Sequence, residues 1–184
     1  MDRRARKSRA AVKDAYLQLI REQDPADVSI SDLCQKADIN RTTFYHHYEY
    51  LENLEKHVIY DILEDMVTQL TGSDHSLIPY SKLYIPEMTR TFVNLFKDDP
   101  YIRIFLNSRR REYYRQLFVD TLVHIMLEAD PSYRNGTPSD KFELVFQNSG
   151  SCSLLITWID EHRYVSSDEI SAIIARHYAA GGKR

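Results

Sequence analysis

Apolar residues recur every three or four positions along most of the chain, and the residues between these runs read as helix caps and breaks. The first run is Val12, Ala15, Tyr16, Leu19 and Ile20, whose spacing puts all five on one helix face. Asp24-Pro25 ends it, because a residue before proline avoids the α region. The second helix opens at Ser29-Ile30-Ser31-Asp32. There Ser29 can accept from the free amides of the first turn while Asp32 reaches back, a variant of the capping box. Leu33, Cys34 and Ala37 form its apolar side. Asp38 follows, and aspartate tolerates the left-handed turn conformation better than most residues. Asn40 then predicts the N-cap of a short third helix, Arg41 to Tyr48, with Phe44 and Tyr48 facing inward beside Ile39 and Leu33.

The rest of the chain keeps the same period. Leu51, Leu54, Val58, Ile62, Leu63, Met66 and Leu70 predict a long amphipathic helix stopped at Gly72, followed by a loop over 73–85. Pro86 suits a helix start, with Met88, Phe92, Leu95 and Phe96 as the apolar face. Asp98-Asp99-Pro100 breaks that helix and begins a short one through Tyr101, Ile104 and Phe105. A further helix is expected from about Arg109 to Ala129, carrying Tyr113, Leu117, Leu122, Ile125 and Met126. After a loop over 131–138, a long helix runs from Asp140 to His162. Ser166 with Glu169 caps a last one carrying Ile170, Ile173, Ile174 and Tyr178. The fold class is therefore all-α: a three-helix helix-turn-helix domain over 1–50, then a helical bundle over 51–184.

Composition narrows the function classes. The chain has 184 residues, 43% hydrophobic and 28% charged, with five Gly and six Pro, too few for a turn-rich β architecture. Two cysteines cannot make a disulfide framework, and Cys34 and Cys152 read as small buried hydrophobes. The longest apolar stretch, Leu154 to Ile159, falls far short of the ~20 residues of a membrane span. Lys13, Asp14 and Gln18 interrupt the only segment near the N-terminus that resembles a signal-peptide core, so a cytoplasmic protein is expected.

Charge is unevenly placed. The formal net charge is −3, yet residues 1–48 hold nine Lys/Arg against seven Asp/Glu, a net of +2 that leaves −5 for the remainder. Arg3, Arg4, Arg6, Lys7 and Arg9 form a basic arm, either a solvated tail or the contact for an anionic partner. Two short helices joined by a tight turn form a helix-turn-helix pattern, in which the second helix would present Arg41, Thr42, Thr43, Tyr45 and His46. Arginine can bind guanine bidentately, threonine can touch a thymine methyl, and tyrosine can reach a phosphate. An ordinary helical corner with a polar face has the same pattern.

Residues 9–60 resemble the N-terminal domain of TetR/AcrR-type bacterial transcriptional regulators. The resemblance is carried by Ala10 to Ile20, by Val28-Ser29-Ile30-Ser31-Asp32-Leu33, and above all by Ala37-Asp38-Ile39-Asn40-Arg41-Thr42-Thr43-Phe44-Tyr45-His46-His47-Tyr48. Two positions depart from it: Asp38 stands where many members have Gly, and Leu51 where many have a phosphate-contacting Lys, with Lys56 further along. The Ile-Asn-Arg-Thr-Thr-Phe-Tyr run is most similar to a subgroup that includes regulators of the dihydroxyacetone-kinase type. The resemblance implies a homodimeric regulator that binds double-stranded operator DNA and is released by a small-molecule effector. An alternative is a regulator that acts through a partner protein. The DNA-contacting set it implies is Arg3, Arg4, Arg6, Lys7, Ser29, Ser31, Asn40, Arg41, Thr42, Thr43, Tyr45, His46, His47 and Lys56.

No phosphate loop, nucleophile elbow or metalloprotease motif is present, so neither an enzyme, a cofactor nor a metal is expected. Tyr84, Met88, Phe92, Phe105, Tyr113, Phe118, Met126 and Trp158 are the candidate effector-pocket residues, and each serves equally well in a plain core. Arg109-Arg110-Arg111 with Arg115 could meet an anionic effector or form a solvated face. The helix over 140–162 has apolar residues on two sides, Phe142, Val145, Phe146, Cys152 and Ile156 against Leu144, Leu155, Trp158 and Ile159. One stripe serves a single domain, so the second predicts a dimer interface shared with the last helix; the alternative is a central helix buried on all sides by its own domain.

Overall fold

The computed structural model describes residues 3–71, 86–129, 135–161 and 164–181. Among these the chain is all-α, with no strand. The helices are α1 (Arg3–Glu22), α2 (Ile30–Lys36), α3 (Arg41–His47), α4 (Leu51–Thr71), α5 (Pro86–Asp98), α6 (Pro100–Asn107), α7 (Arg111–Ala129), α8 (Pro138–Glu161) and α9 (Ser167–Gly181). A 3-10 turn, Pro25–Asp27, follows α1. The expected stop at Gly72, the 73–85 loop, Tyr84 and His162 lie outside the described residues. No described helix is long and apolar enough to cross a membrane.

Two compact units result. The first comprises Met1–Ile59 and Pro100–Tyr114, the second Tyr60–Asp99 and Arg115–Arg184. Compactness thus groups the chain differently from a cut at residue 50, because α6 and the first turn of α7 belong with the N-terminal helices.

In the first unit α1 packs on α2, α3 and α6. Val12, Ala15, Tyr16, Leu19 and Ile20 are buried, as their spacing predicts, together with Leu33, Phe44, Tyr48, Leu54, Phe105 and Tyr114. Tyr16 stacks on Phe105 with ring centroids 6.3 Å apart, and Phe105 lies 4.8 Å from the Tyr114 ring. Helix α1 begins at Arg3, so the basic residues expected as an arm sit on a helix. Arg, Lys and Ala are strong helix formers and no Gly or Pro interrupts residues 3–22, so the helix propagates past its apolar stripe.

In the second unit α9 packs against α5 and α8. Thr89, Val93 and Phe96 make the buried face of α5, while Met88, Phe92 and Leu95 flank it half-buried. The predicted stripe was therefore rotated by about one residue. Phe96 meets Phe118 edge-on at 6.1 Å. Helix α8 starts at Pro138, two residues before the start that the sequence pattern predicts. Proline is well suited to a first helical position, and Thr137 and Asp140 close a capping box around it, at 2.8 Å from Thr137 N to Asp140 Oδ2. Ser166 and Glu169 form the expected box at the head of α9.

Asp38 is the described non-glycine residue with positive φ, at 51°. Its backbone closes α2 through Ile39 N donating to Cys34 O at 3.0 Å. Left-handed geometry costs an L-residue about 1–2 kcal/mol, so Asp38→Gly should hold or raise the unfolding free energy by up to ~1 kcal/mol. Asp38→Val should lower it by about 1 kcal/mol or more. Urea unfolding of the two variants checks this.

Candidate nucleic-acid interface

The geometry of α2 and α3 follows from caps three residues long. Ser29 Oγ accepts from Asp32 N at 3.2 Å, and Ser29 N donates to Asp32 Oδ2 at 3.1 Å. Ser29 Oγ also donates to Asp32 Oδ2 at 2.6 Å, and this bond, with the one from Ser29 N, holds the Asp32 carboxyl below its ordinary value. Asn40 Oδ1 accepts from Thr43 N at 2.7 Å and from Thr43 Oγ1 at 2.9 Å, which fixes where α3 begins. Phe44, fully buried, sets the rotation of α3 about its axis. The chain leaves α3 at Tyr48 in extended backbone, one residue sooner than expected.

With Phe44 inward, Arg41, Thr42, Tyr45 and His46 are exposed on α3. Tyr45 keeps 53% of its surface in water while its ring sits edge-on to Phe44 at 5.6 Å. An aromatic hydroxyl, a guanidinium, a hydroxyl and an imidazole on one short helix offer donors and acceptors for base edges and phosphates. Thr43 is half-buried and tied to Asn40, so this pair serves the cap. Ser29 does likewise at the head of α2, whereas Ser31 is exposed.

His47 turns toward α1. It is half-buried with its Nε2 2.6 Å from Ser8 Oγ, and burial, then Arg9 and His46, lower its pKa. Tyr48 OH lies 2.9 Å from His57 Nδ1, and burial pushes the Tyr48 pKa up to about 12. These contacts brace the end of α3 against α1 and α4. Arg6, Lys7 and Lys56 are exposed on α1 and α4; Arg3 and Arg4 lie in the first turn of α1. Sequence reasoning did not single out Tyr50, 59% exposed in the three-residue link to α4, where its N–H donates to Asn53 Oδ1 at 3.0 Å. A large aromatic in so short a link was the available signal.

The arginine cluster is engaged within the first unit. Arg109 pairs with Asp27 and lies 3.6 Å from Asp24, while Ser108 Oγ donates to Asp24 at 2.6 Å and Arg109 N at 3.0 Å. Burial opposes ionisation of Asp24, yet these donors with Ala26 N bring its pKa below the ordinary value. Arg110 reaches the fully buried Glu55 at 3.1 Å and Glu52 at 3.8 Å. Arg111 pairs with Glu112 at 3.3 Å. Arg115, in the second unit, pairs with Asp160.

The candidate effector residues fall in both units. Phe105 and Tyr113 belong to the first unit; Met88, Phe92, Phe118 and Trp158 belong to the second. Trp158 is buried and its Nε1 donates to Val165 O at 2.8 Å. The Met126 side chain lies outside the described residues. Cys34 and Cys152 are buried, and burial raises both thiol pKa values.

No protein-family model matches the chain. A curated Bacillus subtilis (strain 168) protein, the uncharacterized HTH-type transcriptional regulator YxbF, is 38% identical over 72 residues. That match covers 39% of this chain and 19% of YxbF, so the chain spans about a fifth of that relative's length. Among solved structures, RolR in complex with resorcinol aligns with a TM-score of 0.63 and 16% identity, over 100% of this chain and 97% of that one. The dihydroxyacetone kinase operon activator DhaS aligns at 0.57 and 14%, over 95% of each chain. A TetR-family transcriptional regulator from Streptomyces coelicolor aligns at 0.56 and 16%, over 94% of this chain and 81% of that one. The shared fold is all-α with an N-terminal helix-turn-helix.

The cap at Asn40 is the point on which this face depends. Asn40→Ala should cost about 1 kcal/mol of stability, whereas Asn40→Ser, which keeps an acceptor, should retain nearly all of it. Thermal unfolding checks the loss, and faster amide exchange at residues 41–44 locates it.

Proposed function

We propose, from the premise that this chain has the fold of the TetR-type transcriptional regulators, that it controls transcription by reading double-stranded operator DNA with α3. The observation that carries this reading is the exposed set Arg41, Thr42, Tyr45 and His46 on a helix fixed by the Asn40 cap and the buried Phe44. In this reading residues 1–50, with Lys56 near the start of α4, contact DNA, and the rest of 51–184 binds effector and partner protomer, with the protein acting in the cytoplasm. Arg41 enters the major groove. Tyr45, Lys56, Arg3, Arg4, Arg6 and Lys7 contact phosphates, and Tyr50 joins them. His47, Asn40 and Ser29 act indirectly by positioning the helices.

The mode of control is release of a repressor by a small molecule. RolR, which shares the fold, is described with resorcinol bound, which supports a ligand-responsive second unit. Met88, Phe92, Phe118 and Trp158 are the residues proposed to meet it. DhaS, with the same fold, is named as an operon activator, which favours the second reading of a regulator that activates through a partner.

Selection of duplexes from random DNA by the purified protein tests the central proposal, with enrichment of a palindrome as the expected result. Against the selected site, Arg41→Ala should weaken binding by about 1–3 kcal/mol and relax preference at one base position. Replacing Arg6 and Lys7 together by Gln should reduce the slope of log affinity against log salt by about 2, without changing base preference. Parental binding by Arg41→Ala would remove α3 as the reading helix.

We propose further that the protein is a homodimer joined through α8 and α9. Phe142 and Phe146 are 77% and 80% exposed on α8, and with Val145, Ser149, Gly150 and Ser153 they continue along one side of the helix. Water-exposed phenylalanines one turn apart favour a covering surface, and a second copy doubles the DNA contacts. Sedimentation equilibrium at micromolar concentration should give twice 21.7 kDa for the parent and 21.7 kDa for Phe142→Lys with Phe146→Lys. A monomeric parent, on and off DNA, overturns the proposal.

A further inference from the structure

The seam between α1 and the end of α3 gathers cations around two half-buried imidazoles. Ser8 Oγ lies 2.6 Å from His47 Nε2 and 3.2 Å from Ala5 O. A serine has one hydroxyl hydrogen, so it serves one of these acceptors at a time. Given to Ala5 O, it leaves Oγ to accept from a protonated Nε2; given to His47, it meets a bare nitrogen. The contact therefore holds the ring in place before and after it gains a proton. On α3 the His46 ring lies 5.4 Å from that of His47, and the Tyr48 ring 6.4 Å. Tyr48 OH, 2.9 Å from His57 Nδ1, links the group to α4. Burial, then Arg9 and His46, hold the His47 pKa below its ordinary value; burial, then Lys13 and Arg9, do the same for His57.

Arg9 is the common element. Its charge acts on His47, Tyr48 and His57, yet the sequence places it only in the basic arm and outside the DNA-contacting set. The charges that act on His47, Arg9 from α1 and His46 from α3, both oppose a positive ring, and an anion between them reverses that opposition. His46 is exposed beside Tyr45, so the seam borders the face that α3 presents. We propose that Arg9 and His46 seat one backbone phosphate of DNA, and that its arrival places a proton on His47, which stays bonded to Ser8 without touching the DNA. This rests on the DNA-binding reading above. His47 is then a positioning residue that also carries charge. In the free chain its pKa lies below the ordinary histidine value of about 6.5, and the seated phosphate raises it. Between those two values, binding takes one proton from water, so affinity falls as pH rises through the window. Below or above the window His47 has the same charge free and bound, and contributes no pH dependence. A residue that only braces α3 against α1 has no such window.

The test follows the assigned ring proton of His47 by NMR in the full chain, alone and with a duplex that the parent selects, from about pH 5 to 8. Its titration midpoint should rise by about one pH unit or more on the duplex, and the parent's affinity should fall about tenfold across the window. His47→Gln, which keeps a partner for Ser8, should bind with a flatter pH profile. Arg9→Gln should weaken all sequences alike, reduce the slope of log affinity against log salt by about 1, and leave the His47 midpoint the same with and without duplex. Inorganic phosphate, at the concentration of the duplex phosphates, separates the two sources of the anion: an equal rise with it overturns the DNA seat. An unmoved His47 midpoint on a bound duplex, or a parental pH profile in His47→Gln, also overturns the proposal. Should His47→Gln fail to fold, the midpoint in the parent decides alone. If the parent binds no duplex, the DNA reading fails and takes the seat with it, whereas a bound duplex with His47 unmoved sinks the seat alone.

Discussion

The first unit is organised around a carboxylate taken fully out of water. Glu55 has no exposed surface, and burial pushes its pKa up, while Tyr114, Arg110 and Tyr16 pull it back. An ionised group in that position is tolerable only with charge and hydrogen bonds arranged around it, and removing one partner of such a set is far more damaging than never having built it. The requirement joins segments distant in the chain: Tyr16 comes from α1, Glu55 from α4, Arg110 and Tyr114 from the approach to and start of α7. Asp24 and Asp27 repeat the theme at the end of α1 with Ser108 and Arg109. Residues 108–114 are therefore held from two directions by the helices that support α2 and α3.

The exposed face of α3 is a consequence of that frame. Helix α1 contributes the buried stripe on which α2, α3 and α6 pack, so its placement fixes theirs. Local capping then sets where α3 starts, and Phe44 sets which side faces solvent. Seven residues are too few for a helix to persist alone in water, where nucleation is unfavourable. The face is as well defined as its packing, and no better.

What the sequence made legible follows from range. Caps act over three residues, so Ser29 with Asp32, Asn40 as the cap of α3, and Ser166 with Glu169 could be read directly, as could the left-handed Asp38. Amphipathic stripes act over one or two turns, so the α1 core was legible, while the α5 stripe shifted because Thr89 packs inward where Met88 had been expected. Pro138 is ambiguous in the sequence because proline marks loops as well as helix starts, and only its neighbours Thr137 and Asp140 distinguish the two. The Glu55 cluster lay beyond reach. Its members are separated by tens of residues, and nothing local distinguishes Tyr114, which is buried and bonded, from Tyr113 beside it. The three arginines drew attention as a charge run, yet their partners are revealed only by the fold. The division of the expected pocket residues between two units has the same origin.

The central claim is that α3 reads DNA from a frame that includes residues 108–114. Amide exchange of the full chain, alone and with a duplex it selects, tests this most directly. The account predicts slowed exchange across 29–50 from contact and across 108–114 from tightening of the frame, since local opening in a cooperative unit is shared. Protection confined to residues 138–181, or none at 29–50 in a complex known to be formed, would contradict it.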